Sequence, residues 1–290
     1  MKISDVLELL FLAAIWGFSP LFVRISSPVL GPVWLIEFRV LLAGLVLLLF
    51  VIKTGLVSEI RRKIIPLFIA GCFNSAIPFL LLAYAALTLP VGFTSVLVAT
   101  TPLFGTIISF VWLKERLTIS RIIGLVLGFI GVTILIGWKT TYITQSFNLA
   151  IIAGLTACLL YAIGAPYIKK HLSDVSPLVT AAGTQLSAAL FILPFIPFTI
   201  PAAIPTIKII FAVIALGFFS TALGYILYFR LIQNIGVSRT LTVIYLTPIF
   251  AMLWGLIFLK EPITPSMILS CFLILFGVAI ANNAFSKSVD

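Results

Sequence analysis

Polar residues in this chain are confined to short intervals, and between them the sequence runs apolar for about twenty residues at a time, the length a helix needs to cross a hydrocarbon core of about 30 Å. Ten such runs are legible, at 6–24, 32–52, 64–87, 92–113, 119–138, 148–168, 177–197, 207–229, 237–259 and 265–284. Stretches such as 41–52 are continuously apolar, without the alternation of a barrel strand, so the pattern predicts helices and not a transmembrane β-barrel. The divisions between runs five and six and between runs seven and eight are the least sharply marked. The expected fold class is an all-α integral membrane protein of ten transmembrane helices.

The pattern also repeats. Shifting the chain by 146 residues lays 101–136 over 247–282 with thirteen of 36 positions identical. Apolar identities carry little weight in so apolar a chain. The polar and special ones carry more: Thr101/Thr247, Pro102/Pro248, Lys114/Lys260, Glu115/Glu261, Thr118/Thr264, Ser120/Ser266 and Gly131/Gly277. With a two-residue slip, Tyr84 and Gly92 also meet Tyr228 and Gly236. Five runs per half is an odd number, so the second half enters the membrane from the opposite side. The expected domains, 1–140 and 147–290, are then inverted repeats, an arrangement suited to opening a central site alternately to either face.

Composition confirms the lipid environment. The chain is 62% hydrophobic and only 9% charged, against about 25% charged in soluble domains. The net charge of +10 invites a nucleic-acid reading, but the basic residues follow the loop pattern and form no separate patch. With the N-terminus cytoplasmic, thirteen of the eighteen Lys and Arg fall on that side, Arg24, Lys139, Lys208 and Lys260 fall opposite, and Arg39 lies within a run. Both termini are therefore expected in the cytoplasm, in a multi-pass protein of the cell (inner) membrane. The first run lacks a cleavage-site pattern and reads as a permanent span. Cys72, Cys158 and Cys271 fall inside runs and read as packing residues, with no metal or cofactor implied.

Charges and polar groups inside a run are costly in lipid and mark candidate working parts. Arg39 is positioned to line a cavity and present a fork of donors to a carboxylate. Glu37 is a candidate coupling acid, although its shallow position favours a water-exposed residue at the membrane edge. The shift of 146 sets Gln185 against Arg39, which makes the expected substrate site asymmetric. Thr221, Tyr225 and Tyr228 share a helix face near Gly217 and Gly224, fit for a cavity wall or for close packing. The candidate substrate-binding set is Trp16, Arg39, Asn74, Tyr161, Gln185, Thr221 and Tyr225, while Tyr228, near the cytoplasmic end, reads as an interfacial tyrosine. Pro78, Pro102 and Pro248 are candidate hinges, the last two at matching positions behind threonines. Lys114-Glu115 and Lys260-Glu261 read as interfacial anchors of helix ends. Runs five and ten, without mid-depth polar groups, would buttress the sides or meet another copy, giving a monomer or homodimer.

Several short motifs, in order and in two copies, resemble the EamA-type transporters of the drug/metabolite transporter superfamily. They are Ala14–Gly17 (AIWG), Phe38–Arg39, Tyr84–Leu87 (YAAL), Thr101–Phe104 (TPLF) and Leu113–Leu117 (LKERL), then Tyr228–Leu231 (YFRL), Thr247–Phe250 (TPIF) and Leu259–Ile263 (LKEPI). The resemblance spans nearly the whole chain. It implies ten helices, cytoplasmic termini, a central cavity between halves and transport of metabolites, without fixing the cargo.

The expected function is therefore secondary transport, by alternating access, of a small metabolite, an amino acid or similar polar or amphipathic solute, with export the expected direction. The alternatives are a channel or a membrane enzyme. A channel calls for a repeated selectivity element, and none is evident. An enzyme calls for a catalytic constellation, yet His171 is a lone loop histidine and no H-E-x-x-H, G-x-S-x-G or phosphate-binding glycine loop occurs.

Overall fold

The structure is a computed structural model that describes residues 2–114, 118–137 and 144–281. Glu115 of the first Lys-Glu pair lies outside them. Among the described residues every regular element is helical. Seven helical segments are long and apolar enough to cross a membrane, and two shorter apolar helices, 243–259 and 265–281, accompany them.

The first element, α1 (Ile3–Lys53), covers 51 residues, about 76 Å of helix, more than twice a hydrocarbon core. It is not straight. Gly31, at φ 73° and ψ 160°, breaks it between Pro28 and Pro32, and the chain doubles back there. Two contacts demonstrate the reversal. Arg24 reaches the carbonyl of Ala86 while Arg39 lies over the ring of Phe79, only seven residues along a neighbouring helix. Runs one and two are thus two limbs joined at a single glycine.

A short helix, α2 (Val57–Arg62), precedes run three, which divides into α3 (Ile64–Gly71) and α4 (Ile77–Ala85) joined by a π-turn at Cys72–Ala76. Pro78 sits in the first turn of α4, where a missing N–H costs least. Run four is α5 (Val91–Val98) and α6 (Thr101–Leu113), and run five is α7 (Ile119–Gly137). Then follow α8 (Gln145–His171), α9 (Pro177–Ile192) with a 3₁₀ turn at Leu193–Phe198, and α10 (Ile207–Ala215). A second π-turn, Leu216–Leu223, leads into α11 (Gly224–Ile235). The last elements are α12 (Val237–Thr240), α13 (Val243–Leu259) and α14 (Pro265–Ala281).

The two parts of the chain interleave. The first limb of α1 packs on α13, where a Cβ on Gly17 would meet Phe250 at 2.6 Å, and the second limb packs on α9, where Gly44 faces Leu186. α7 and α14 pack on each other rather than standing apart as side buttresses. Glycine makes this possible: a Cβ on Gly124 would lie 2.4 Å from the carbonyl oxygen of Gly277. Outward faces of the bundle carry exposed Phe11, Leu49, Ile65, Val111, Ile122 and Phe272, apolar surface that lipid covers.

The repeat has a conformational signature. Among the described residues only Lys114 and Lys260 combine a side chain with positive φ, at 54° and 56°, and each ends its helix in the left-handed conformation. They are 146 residues apart. A lysine there also places positive charge beside the unpaired carbonyls of the helix end. The breaks around the Thr-Pro pairs differ. In the first copy the helix is interrupted at 99–100 and Pro102 falls in the first turn of α6. In the second the interruption is at 241–242 and Pro248 stays inside α13. The bends expected at matching positions are therefore displaced by about one turn.

Candidate functional site

The site is assembled from the second limb of α1, α4, α8 and the second π-turn. Arg39 is 9% exposed within a membrane-length helix. Its guanidinium carbon lies 3.7 Å from the centre of the Phe79 ring. Its Nε donates to the Thr221 hydroxyl at 3.1 Å. That hydroxyl in turn donates to the carbonyl of Leu216 at 2.8 Å, so its lone pairs are left for Arg39. The π-turn explains why: Thr221 and Leu216 are five residues apart, the separation that a π-turn brings into register. Tyr161 of α8 meets the edge of Phe79, its ring centre 6.4 Å away. Three candidates named from the sequence, Arg39, Tyr161 and Thr221, are thus gathered about Phe79, and Tyr225 follows Thr221 on the next turn.

No ion pair among the described residues compensates the charge at that place. The ion pairs among the described residues join Arg24 to Glu261, Arg62 and Lys63 to Asp174, and Arg230 to Glu8; none includes Arg39. A buried cation without a counter-ion is costly, and the part of the guanidinium beyond Nε is the natural seat for an anion.

The remaining candidates are placed elsewhere. Gln185 is fully buried, its amide nitrogen donates to the Ser75 hydroxyl of the first π-turn at 2.9 Å, and its Oε1 has no hydrogen-bond partner among the described residues. Trp16 stacks obliquely on Tyr228 at 5.4 Å, on the first limb of α1. Asn74 is half-buried in the first π-turn, beside Gly164 of α8. Glu37 is 6% exposed, which corrects the expectation of a water-exposed residue at the membrane edge. Its Oε2 has no hydrogen-bond partner, and two residues of helix turn it about 200° away from Arg39.

A cavity of about 480 Å³ lies apart from this chemistry, on the flank between the second limb of α1 and α10. Its walls include Leu30, Phe38, Leu41, Ile210 and Val213, and no polar side chain lines it. It suits an acyl chain and not a polar solute.

Sequence reasoning missed one constellation. Arg24 Nε pairs with Glu261 Oε1 at 3.3 Å and its NH1 donates to the Ala86 carbonyl at 2.6 Å, while Glu261 Oε2 accepts the Val91 N–H at 2.7 Å. The signal available was the repeated Lys-Glu motif, whose second glutamate faces the protein and not the interface. At the opposite end of the bundle Asp174 pairs with Lys63 at 2.9 Å and Arg62 at 3.3 Å. Hydrogen bonding to Lys63 holds its carboxyl below the usual carboxylate range. Glu59 accepts the Ser176 N–H at 2.8 Å on the same rim.

Comparison with known proteins identifies the family. The model of the EamA-like transporter family matches residues 5–137 and again 148–283. An uncharacterized transporter of Archaeoglobus fulgidus is 25% identical over 91% of this chain and 94% of its own. The uncharacterized transporter YoaV of Bacillus subtilis is 25% identical over 98% and 99%. A probable terminal-alkyne amino-acid exporter of Streptantibioticus cattleyicolor is 22% identical over 97% and 95%. A solved crystal structure superposes with a TM-score of 0.69 at 18% identity over 100% of both chains, which shows a shared fold.

Proposed function

The chain belongs to the EamA-like transporter family, and from that premise we propose that it is a secondary carrier of small metabolites bearing a carboxylate, amino acids foremost. The observation that carries this reading is Arg39: a buried guanidinium with no ion-pair partner among the described residues, set among Phe79, Thr221 and Tyr161. The cation takes the carboxylate, and the aromatic rings take the apolar part of the solute.

In this reading the chain makes ten crossings as two inverted five-helix repeats, 1–140 and 147–290, with both termini in the cytoplasm. Rocking of one repeat against the other exposes the Arg39 site to each face in turn. The two π-turns and the breaks before Pro102 and Pro248 supply the points where helices bend, with Pro78 beside the first π-turn. Export is the direction we assign, supported by the name of the Streptantibioticus relative. Glu37, buried and without a partner on Oε2, is the acid we assign to proton coupling.

Counterflow in proteoliposomes tests the proposal. Saturable uptake of radiolabelled L-amino acids, accelerated by unlabelled substrate inside, is the expected result. Non-saturating conductance would replace the carrier by a channel, and chemically altered solute would indicate an enzyme.

A further inference from the structure

The end of the molecule that carries Arg24 is closed. Around Arg24 the space between the first limb of α1, α5 and α13 is filled. Leu21, Ala86, Leu89, Val91 and Ala251 are each at most 3% exposed. Phe18 stacks on Trp254 at 4.3 Å, and the Trp254 ring N–H donates to the Ala14 carbonyl at 3.1 Å.

The closed end is held by charge. Arg24 and Glu261 are separated by 237 residues and stand in different repeats. Together with the Ala86 carbonyl and the Val91 amide they tie the ends of four helical segments: the first limb of α1, α4, α5 and α13. Their side chains are 28% and 17% exposed, so water reaches the pair but does not surround it.

We infer that Arg24 and Glu261 form a gate latch: the ion pair, with Glu261 also capping α5, keeps the path to the Arg39 site shut on the face where Arg24 lies and must part before that face opens. The inference rests on the alternating-access reading above. It adds a residue pair to which no part of the solute need bind, and whose rupture is a step of the cycle.

The test is accessibility. Leu21, one turn below Arg24 and 3% exposed, is replaced by cysteine in a background carrying Cys72→Ala, Cys158→Ala and Cys271→Ala. Labelling by a membrane-impermeant maleimide is timed in sealed vesicles of both orientations. With Arg24 and Glu261 intact, labelling from the Arg24 face is slow. Glu261→Gln keeps an oxygen for the Val91 N–H but loses the charge, and Arg24→Gln loses the other partner. Each is expected to accelerate labelling from that face by roughly fivefold to tenfold, the factor a partly buried pair is worth. Arg24→Lys, which keeps charge without the two-way reach, falls between. Unchanged rates in both glutamine variants, in protein that elutes as a single folded species, overturn the latch. Counterflow of radiolabelled L-amino acids is measured in the same vesicles. Its absence from protein with the latch intact would overturn the carrier reading, while the labelling rates, which need no substrate, judge the latch separately.

Discussion

Arg39→Ala separates a binding arginine from a structural one. In the folded protein Arg39 gains a hydrogen bond to Thr221 and a face-on contact with Phe79. A charged hydrogen bond is worth about 1.5–3 kcal/mol and a desolvated cation–π contact about 2 kcal/mol. Against these stands the burial of a cation with no counter-ion, a cost of several kcal/mol. The two sides nearly cancel, so removing the side chain is expected to shift the melting temperature by no more than about 5 °C. Transport behaves differently. A carboxylate deprived of the guanidinium fork loses charge-assisted hydrogen bonds, which at about 1.5–3 kcal/mol each amounts to roughly 10–100-fold or more in affinity. Arg39→Lys keeps a charge but neither the fork nor the Thr221 contact, and is expected to fall between. Differential scanning fluorimetry of the purified variants, with and without the solute that supports counterflow, reads both effects. Stability close to that of the unaltered protein with a lost ligand-induced shift is the expected pair of results. If Arg39→Ala carries solute at the unaltered rate, Arg39 leaves the site; if it melts far lower, its role is structural.

Other outcomes follow from single contacts. Gly124→Leu forces a side chain against the backbone of Gly277 and should cost about 1–3 kcal/mol, whereas Gly105→Ala, with nothing within 4 Å, should be neutral or stabilising; thermal melts compare them. Lys260→Gly relieves a left-handed residue at φ 56° and should raise stability by about 1 kcal/mol, read by the same melts. The carboxyl of Asp174 is depressed in the folded protein, so its contribution is present above the ordinary carboxylate range and is lost as pH falls through its folded value. Asp174→Asn should therefore melt below the unaltered protein near neutrality and converge with it in acid, and a constant gap down to the lowest pH would contradict the pairing.

Much of this architecture could be read from the order of residues, and the exceptions have physical causes. Run lengths are a direct consequence of membrane thickness, which is why eight of the ten intervals coincide with separate helical segments, and why the two that share α1 are still divided at Gly31. Arg39, Tyr161 and Thr221 stand out in the sequence because a polar group in lipid needs a reason, and the fold gathers them about Phe79. The π-turns at 72–76 and 216–223 were not identifiable, since an extra residue per turn depends on what packs beside it and leaves no composition of its own. Nor was the partnership of Arg24 and Glu261: each looks like an ordinary interfacial charge, and only the folded chain brings them together. Gln185 looked like the counterpart of Arg39 by register, but Ser75 had first claim on it.

Gly31 has a mechanical meaning. One residue joins the limb that carries Arg24 to the limb that carries Arg39, with prolines three residues before it and one after it, so there is no slack between them. A V-shaped lever with so short a fulcrum cannot tilt one arm without swinging the other. In the proposed cycle, solute settling on Arg39 bears on a limb joined through Gly31 alone to the limb that Glu261 holds, so the chain itself links the two places. Gly31→Ala, which asks an L side chain to adopt φ 73° and ψ 160°, would strain that fulcrum by about 1–3 kcal/mol and slow both arms together, visible as one common drop in counterflow and in labelling near Arg24.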